Sequence, residues 1–195
     1  MNNYLNLDRK FGLLMNYTSE ELFVSDVLGK HFTWERVLKG RFSLVIGRAN
    51  FGKTMELKER SRILRNQGKI AIFVALHKVL GVDEFTETLD IEDGEAFNNW
   101  LNTANKELTV FVDSIDEASL GREYGLQFAL RRVTKAVNWT NSNIRWVLSS
   151  RPAILTPNVL ELLQTELRTT LYKVVIDNHA QSFDNFFEDE DEDED

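Results

Sequence analysis

Residues 42–54 read Phe-Ser-Leu-Val-Ile-Gly-Arg-Ala-Asn-Phe-Gly-Lys-Thr. The first five form a short, mainly apolar run that is typical of a buried strand. The next eight match the pattern G-x-x-x-x-G-K-[ST] at every fixed position. Residues 55–66, rich in Leu, Lys, Glu and Arg, then favour a helix. Strand, glycine loop and helix in this order predict a phosphate-binding loop, or P-loop, on a sheet that is covered by helices.

The residues of this loop have separate chemical roles. Glycines let backbone N–H groups turn toward phosphate oxygens, and the positive end of the following helix dipole attracts the same anion. Lys53 supplies a positive charge for the β- and γ-phosphates, and Thr54 offers a hydroxyl oxygen to Mg²⁺. We expect the nucleotide to be bound by Gly47, Arg48, Ala49, Asn50, Phe51, Gly52, Lys53, Thr54 and Met55.

Apolar stretches and helical patterns alternate along the rest of the chain. Further strands are predicted near residues 69–76, 108–113, 144–149 and 171–176, and helices near 53–66, 95–107, 122–137 and 157–169. This alternation predicts an α/β fold, with a mainly parallel five-stranded sheet and helices on both faces. We divide the chain into a lead-in packed on the core (1–38), the core itself (39–177) and a C-terminal segment that ends in an acidic tail (178–195).

A second motif follows the predicted strand at 108–113. Asp113 ends this apolar strand, where a carboxylate can bind Mg²⁺ directly or through its water. Asp116 and Glu117 come in the next turn, so either one is a candidate for polarising an attacking water. The alternative is a solvated loop after a core strand, because acids are common there. The P-loop earlier in the chain favours the metal site.

A third motif ends the strand at 144–149, which runs into Ser150-Arg151-Pro152. Proline restricts the residue before it to extended backbone, so Arg151 is expected to project from the strand end. A guanidinium there can sense or stabilise the charge of the γ-phosphate. The alternative is a surface arginine in a turn.

The sequence Asp-Ser-Ile-Asp-Glu at 113–117 resembles the Walker B signature of NACHT-type NTPases within the STAND group. In that signature a small residue follows the metal-binding Asp, and two more acids come just beyond. Residues 150–152 are similar to the strand end that carries the family's sensor arginine, and the resemblance spans roughly residues 30–176. It implies a three-layer P-loop NTPase core with strand order 5-1-4-3-2.

The resemblance also implies a function. NACHT-type proteins are switches that hold ADP at rest and exchange it for ATP as they oligomerise, and bacterial members often act in antiviral defence. It implies ATP or ADP with Mg²⁺ as cofactors, Thr54 and Asp113 as metal ligands, and Asp116, Glu117 and Arg151 as catalytic residues. We expect hydrolysis to be weak or to depend on a partner, because the helical segment that closes over the nucleotide in the family is not found after residue 176. The bulky Arg48 and Phe51 also depart from the family's P-loop.

Composition sets the remaining expectations. The chain has 195 residues and no cysteine, which suits one domain and excludes disulfides and cysteine-based sites. Its net charge of −8 arises from the eight acids at 188–195, a tail that we expect to be disordered. There is neither a secretory pattern nor an apolar run of about 20 residues, so we expect a cytoplasmic protein without a membrane partner.

Partners follow from the same patterns. Basic residues are scattered, so no direct nucleic-acid binding is expected, and the partners are the nucleotide and either another protein or a second copy of the chain. Two other functions stay open at this point: a non-catalytic interaction protein that uses the NTPase fold and the acidic tail, and a small P-loop enzyme such as a kinase. His31 and His77 lack a partner pattern and are expected to be structural or exposed.

Overall fold

A computed structural model describes residues 11–14, 33–47, 50, 52–103, 106–119, 124–137, 143–151, 155–166 and 174–177. Six strands are formed: β1 (Phe11–Leu14), β2 (Phe42–Ile46), β3 (Ile70–Ala75), β4 (Leu108–Asp113), β5 (Ile144–Ser150) and β6 (Val174–Asp177). The α-helices are α1 (Trp34–Val37), α2 (Lys53–Asn66), α3 (Ile91–Leu101), α4 (Ile115–Ser119), α5 (Gly125–Ala136) and α6 (Pro157–Glu166). Two 3₁₀ segments, Leu76–Gly81 and Phe85–Thr88, lie between β3 and α3.

The strands form one sheet in the order β1-β6-β2-β5-β4-β3. Strands β2, β5, β4 and β3 are parallel neighbours, β6 runs parallel to β2, and β1 runs antiparallel to β6. The predicted α/β class and parallel sheet are therefore confirmed for four neighbouring strands, β2, β5, β4 and β3. The sheet has six described strands rather than the predicted five, because the short stretch 11–14 adds an antiparallel strand that shows no distinct pattern in the sequence.

Helices cover both faces of the sheet. Side chains of a strand alternate between its two faces, and β2 places Leu44 in one apolar cluster and Val45 in the other. The cluster around Leu44 includes side chains from α3, α4, α5 and α6, and the cluster around Val45 includes side chains from α1 and α2. The four central parallel strands are buried almost throughout, which explains their near-continuous apolar sequences.

The third helix begins earlier than predicted. Its N-cap is Asp90, whose side chain accepts a 2.9 Å hydrogen bond from the Asp93 N–H, and the helix runs over Ile91–Leu101 instead of 95–107. The acids of its first turn, Glu92 and Asp93, lie before the predicted start of the helix and stabilise the positive end of the helix dipole.

Parts of the predicted organisation lie outside the described residues. The C-terminal segment 178–195 is one of them, and of the lead-in only 11–14 and 33–38 are described. Within the described chain, every helix is too short or too polar to cross a membrane.

Candidate functional site

The P-loop lies between β2 and α2, as its sequence predicts. Asn50 and Gly52 have positive φ angles of 62° and 69°, so the backbone turns through the left-handed region directly before α2 begins. Glycine adopts this region without strain, and asparagine is among the few other residues that tolerate it. The Gly47 N–H donates a 3.2 Å bond to the Ser150 carbonyl, which ties the start of the loop to β5. Arg48, Ala49 and Phe51 lie outside the described residues.

Lys53 reaches back across this loop. Its Nζ donates a 2.6 Å hydrogen bond to the carbonyl oxygen of Gly47, six residues earlier. The ammonium charge is therefore held between the end of β2 and the start of α2. Met55, in the first turn of α2, is 51% exposed. The ammonium group of Lys53 thus lies against the loop that is predicted to bind phosphate.

The carboxylate of Asp113 is the meeting point of three elements. It is almost fully buried at the end of β4. Its Oδ2 accepts hydrogen bonds from Thr54 Oγ1 at 2.6 Å and from Ser114 Oγ at 3.1 Å, and its Oδ1 accepts one from the Ser149 hydroxyl on β5. Thr54 is 59 residues away in sequence, so the fold brings the two predicted metal ligands into contact. These hard oxygen donors are the kind that Mg²⁺ prefers.

A sharp turn follows Asp113. Ser114 has a positive φ of 65°, and its carbonyl accepts a 3.1 Å bond from the Ala118 N–H, so the chain passes at once from β4 into α4. This turn brings the next two acids back toward the sheet edge. Their environments differ: Asp116 is buried, whereas the Glu117 side chain is 44% exposed.

Each of these acids has a basic partner from a neighbouring strand end. Arg151 directly follows β5, and its Nε lies 2.8 Å from Asp116 Oδ2. His77 follows β3, and its Nδ1 lies 3.1 Å from Glu117 Oε2. His77 has no partner pattern in the sequence and was predicted to be structural or exposed. Its position just after a strand of the same parallel sheet was the available signal, because the carboxyl ends of such strands meet at one edge.

A cavity of ≈ 220 Å³ opens beside these groups. Its wall includes Thr54, Asp113, Glu117, His77 and Asp93, so predicted metal ligands and a predicted water-positioning acid face one space. A larger cavity of ≈ 500 Å³ lies elsewhere, lined by residues such as Trp34 and Lys69 and by none of the predicted site residues. The smaller cavity is therefore the candidate site, because both predicted metal ligands and Glu117 line it, whereas Lys53, Asp116 and Arg151 are not among its lining residues.

Asp93 is a buried carboxyl group of this cavity with a raised pKa. Burial, with a smaller contribution from the nearby Asp90, raises this pKa to about 6 against the opposing effect of the Arg65 guanidinium. Arg65 contacts Asp93 and also lies 2.9 Å from Glu92 Oε2. This network joins α2, which carries the P-loop threonine, to α3.

The arrangement is a P-loop fold. A glycine loop joins a central parallel strand to a helix, and a buried strand-end aspartate contacts the threonine of that loop. This conclusion rests on the topology and the contacts of the described residues. The topology and contacts identify the fold, whereas the sequence resemblance named one group of proteins, the NACHT-type NTPases, within it.

Comparisons with known proteins do not identify the family of this chain. No family profile matches the chain, and no curated protein matches it. One similar solved structure is of Drosophila ORC bound to GC-rich DNA and Cdc6, with a TM-score of 0.40 and 17% identity over 70% of this chain and 50% of that chain. Another is the Aeropyrum pernix ORC1 protein in complex with DNA, with a TM-score of 0.40 and 14% identity over 80% of this chain and 48% of that chain. The chain spans about half the length of each.

These comparisons correct one expectation. Both solved structures contain DNA, and the prediction that this chain has no nucleic-acid partner is withdrawn. A scattered distribution of basic residues along the sequence was its sole basis, and sequence scatter does not determine how charges group on a folded surface. The comparisons do not support the NACHT assignment or an antiviral role.

Proposed function

We propose that this chain binds Mg-ATP and hydrolyses it. The observation that carries the proposal is the 2.6 Å hydrogen bond from Thr54 Oγ1 to Asp113 Oδ2, because it joins the P-loop to the strand-end acid. Lys53, held on the same loop, would contact the β- and γ-phosphates, and Thr54 and Asp113 would hold the metal. Bound Mg²⁺ would neutralise phosphate charge during transfer to water.

The two acids after Asp113 have different roles in this proposal. Asp116 is buried and paired with Arg151, so it orients that guanidinium rather than a water molecule. Glu117 is partly exposed and lines the cavity beside Thr54 and Asp113. We therefore assign to Glu117 the orientation of the attacking water and acceptance of its proton.

Arg151 completes the proposed site. Its Nε is engaged by Asp116, and the planar guanidinium carries two further nitrogen groups that donate hydrogen bonds. We assign these to the γ-phosphate oxygens, where a fixed positive charge stabilises the negative charge that develops in transfer. Asp116 thus limits the orientations of Arg151 before the nucleotide arrives.

Calorimetric titration with Mg-ATP tests the binding step. Lys53→Ala is expected to weaken ATP binding at least tenfold, because the phosphates lose their positive partner. Lys135→Ala is the matched control, since Lys135 is an exposed lysine in the last turn of α5 and is expected to bind like the unmodified chain. Equal affinity in Lys53→Ala and Lys135→Ala would contradict the proposal.

Release of phosphate tests the hydrolytic step. Glu117→Gln keeps the shape of the side chain but removes the base, so turnover is expected to fall about 100-fold or more while ATP still binds. Binding without turnover in the unmodified chain would instead favour the non-catalytic interaction protein. The assays need arms with and without DNA, so that a dependence on nucleic acid is seen.

The finer proposal, a NACHT-type switch that acts in the cytoplasm in bacterial antiviral defence, rests on the sequence resemblance alone. Its distinguishing property is assembly that depends on ATP. Light scattering with Mg-ATP and with Mg-ADP measures this directly. A larger mass with ATP is expected for such a switch, and an unchanged mass would count against it.

A further inference from the structure

The imidazole of His77 has an environment that the roles assigned above leave unexplained. Its Nδ1 is shielded from solvent, although the side chain as a whole is 39% exposed. Glu117 Oε2 is 3.1 Å away, a hydrogen-bond distance at an angle outside the usual range. Among the described residues, Nδ1 has no hydrogen-bond partner in a normal geometry. A shielded ring nitrogen needs a partner, and Glu117 is the group placed to supply it.

The core fixes the backbone position of His77. It lies in the 3₁₀ segment Leu76–Gly81, whose Leu76 and Val79 are fully buried. From α5, Arg132 donates a 3.1 Å hydrogen bond to the Val79 carbonyl and another to the Val82 carbonyl, while its guanidinium lies 4.4 Å from the Phe128 ring centroid. His77 is therefore placed by packed elements, as a residue that orients another group must be.

We propose that His77 is a positioning residue for Glu117. With a proton on Nδ1 the imidazole donates to Oε2, which leaves Oε1 to accept a hydrogen bond from the attacking water. This inference rests on the proposed hydrolytic function. In apo proteins such contacts are often poorly aligned and improve when the ligand binds, which agrees with the angle seen here. The other charged groups that line the cavity are Lys58, Lys78, Asp90, Asp93 and Asp113.

Turnover of His77 variants is the first test. His77→Ala is expected to lower kcat about tenfold or more through misplacement of Glu117, with ATP affinity unchanged within about twofold. His77→Asn is expected to recover most of the rate, because its amide nitrogen takes the place of Nδ1. In a Glu117→Gln background, His77→Ala is expected to have no further effect, since it acts through Glu117.

Thr88→Ala is the matched control. Thr88 lines the same cavity, but its hydroxyl donates to the Phe85 carbonyl, so its loss should leave turnover unchanged. If His77→Ala turns over ATP like Thr88→Ala, the positioning role is wrong and the proposed function stands. If the unmodified chain shows no turnover, both are overturned.

Nitrogen NMR of the nucleotide-free protein is the second test, and it does not depend on activity. The chain has three histidines, so the imidazole signals are few. In alkaline buffer, His77 is expected to carry its proton on Nδ1, because a carboxylate acceptor selects that tautomer. The tautomer should revert to Nε2–H in Glu117→Ala and stay unchanged in Thr88→Ala. An Nε2–H tautomer in the unmodified chain would overturn the inference.

Discussion

At the scale of single residues, Ser114 occupies a demanding backbone conformation, one that Tyr124 shares. A left-handed φ of 65° is unfavourable for a residue with a side chain, and the cost is of order 1–2 kcal/mol. Two features offset it: the Ser114 hydroxyl donates to Asp113, and its carbonyl accepts the first bond of α4. The strained residue lies between Asp113, the predicted metal ligand, and the two acids of α4. Strain of this kind is often found at functional sites.

Two substitutions separate the strain from the hydrogen bond. Ser114→Gly removes both, and Ser114→Ala removes only the bond, so the glycine variant is expected to be more stable than the alanine variant by about 1 kcal/mol. Unfolding in urea, at constant m-value, measures this difference. If alanine were tolerated as well as glycine, the turn after Asp113 would not have the left-handed geometry described.

Residue identities allowed part of the site to be predicted. Lys53, Thr54 and Asp113 follow from motifs in which each position has a fixed chemical role. The division of labour between Asp116 and Glu117 did not follow, because two adjacent acids look equivalent in sequence. The division proposed above rests on the burial of Asp116 and on its contact with Arg151. The predicted nucleotide-binding roles themselves remain predictions.

At the scale of elements, α2 and α3 are joined through a buried acid. Asp93 is 2% exposed, contacts Arg65, and lies 3.4 Å from the Ser61 hydroxyl. Burial raises its pKa to about 6, so near neutral pH its charge is maintained at a cost. An ion pair of this kind holds two helices in one relative position without adding much to stability.

The raised pKa of Asp93 determines the direction in which folding stability changes with pH. The pKa is 3.8 without the environment of the fold and about 6 within it, so between these values the folded chain binds more protons than the unfolded chain. Folding stability from this group is therefore greatest at low pH and falls as pH rises toward 6. About two pKa units correspond to roughly 3 kcal/mol.

Asp93→Asn isolates this contribution because asparagine does not titrate. The stability of the unmodified chain relative to Asp93→Asn is expected to fall by up to about 3 kcal/mol between about pH 4 and pH 7. Urea unfolding at both pH values measures the change. Glu92→Gln is the control, since Glu92 pairs with the same Arg65 while 69% exposed, and its difference should stay nearly constant. A constant difference for Asp93→Asn would show that the raised pKa is wrong.

Elements differed in how far the sequence predicted them. The four central strands have continuous apolar sequences because both of their faces are buried, and they were predicted nearly to the residue. Strand β1 has only four residues and is stabilised by pairing with β6, at least 160 positions away, so no local pattern marks it. The contact of His77 with Glu117 likewise requires the adjacency of β3 and β4.

At the scale of the whole molecule, one edge of the sheet carries all of the proposed chemistry. The P-loop follows β2, His77 follows β3, Asp113 ends β4, and Arg151 follows β5. Parallel strands place these ends together without any of the residues being close in sequence. A ligand bound there would contact parts of the chain that are distant in sequence, and so oppose unfolding of the whole core.

Thermal unfolding measures that coupling. Mg-ATP at about 100 times its dissociation constant should stabilise the folded chain by about 2.7 kcal/mol and raise the unfolding midpoint by several degrees. Lys53→Ala should lose most of this shift, and Lys135→Ala should keep it. A midpoint that is insensitive to nucleotide in the unmodified chain would contradict binding to the native state.

The three hydroxyl groups around Asp113 have a consequence for the rate of ligand binding. These hydrogen bonds fix the Asp113 carboxylate and the side chains of Thr54, Ser114 and Ser149 before any ion binds. The predicted metal ligands, Thr54 and Asp113, therefore need no ordering step when the ion arrives. The observed association rate should then rise linearly with ligand concentration, without the plateau that a slow prior rearrangement of the protein would impose.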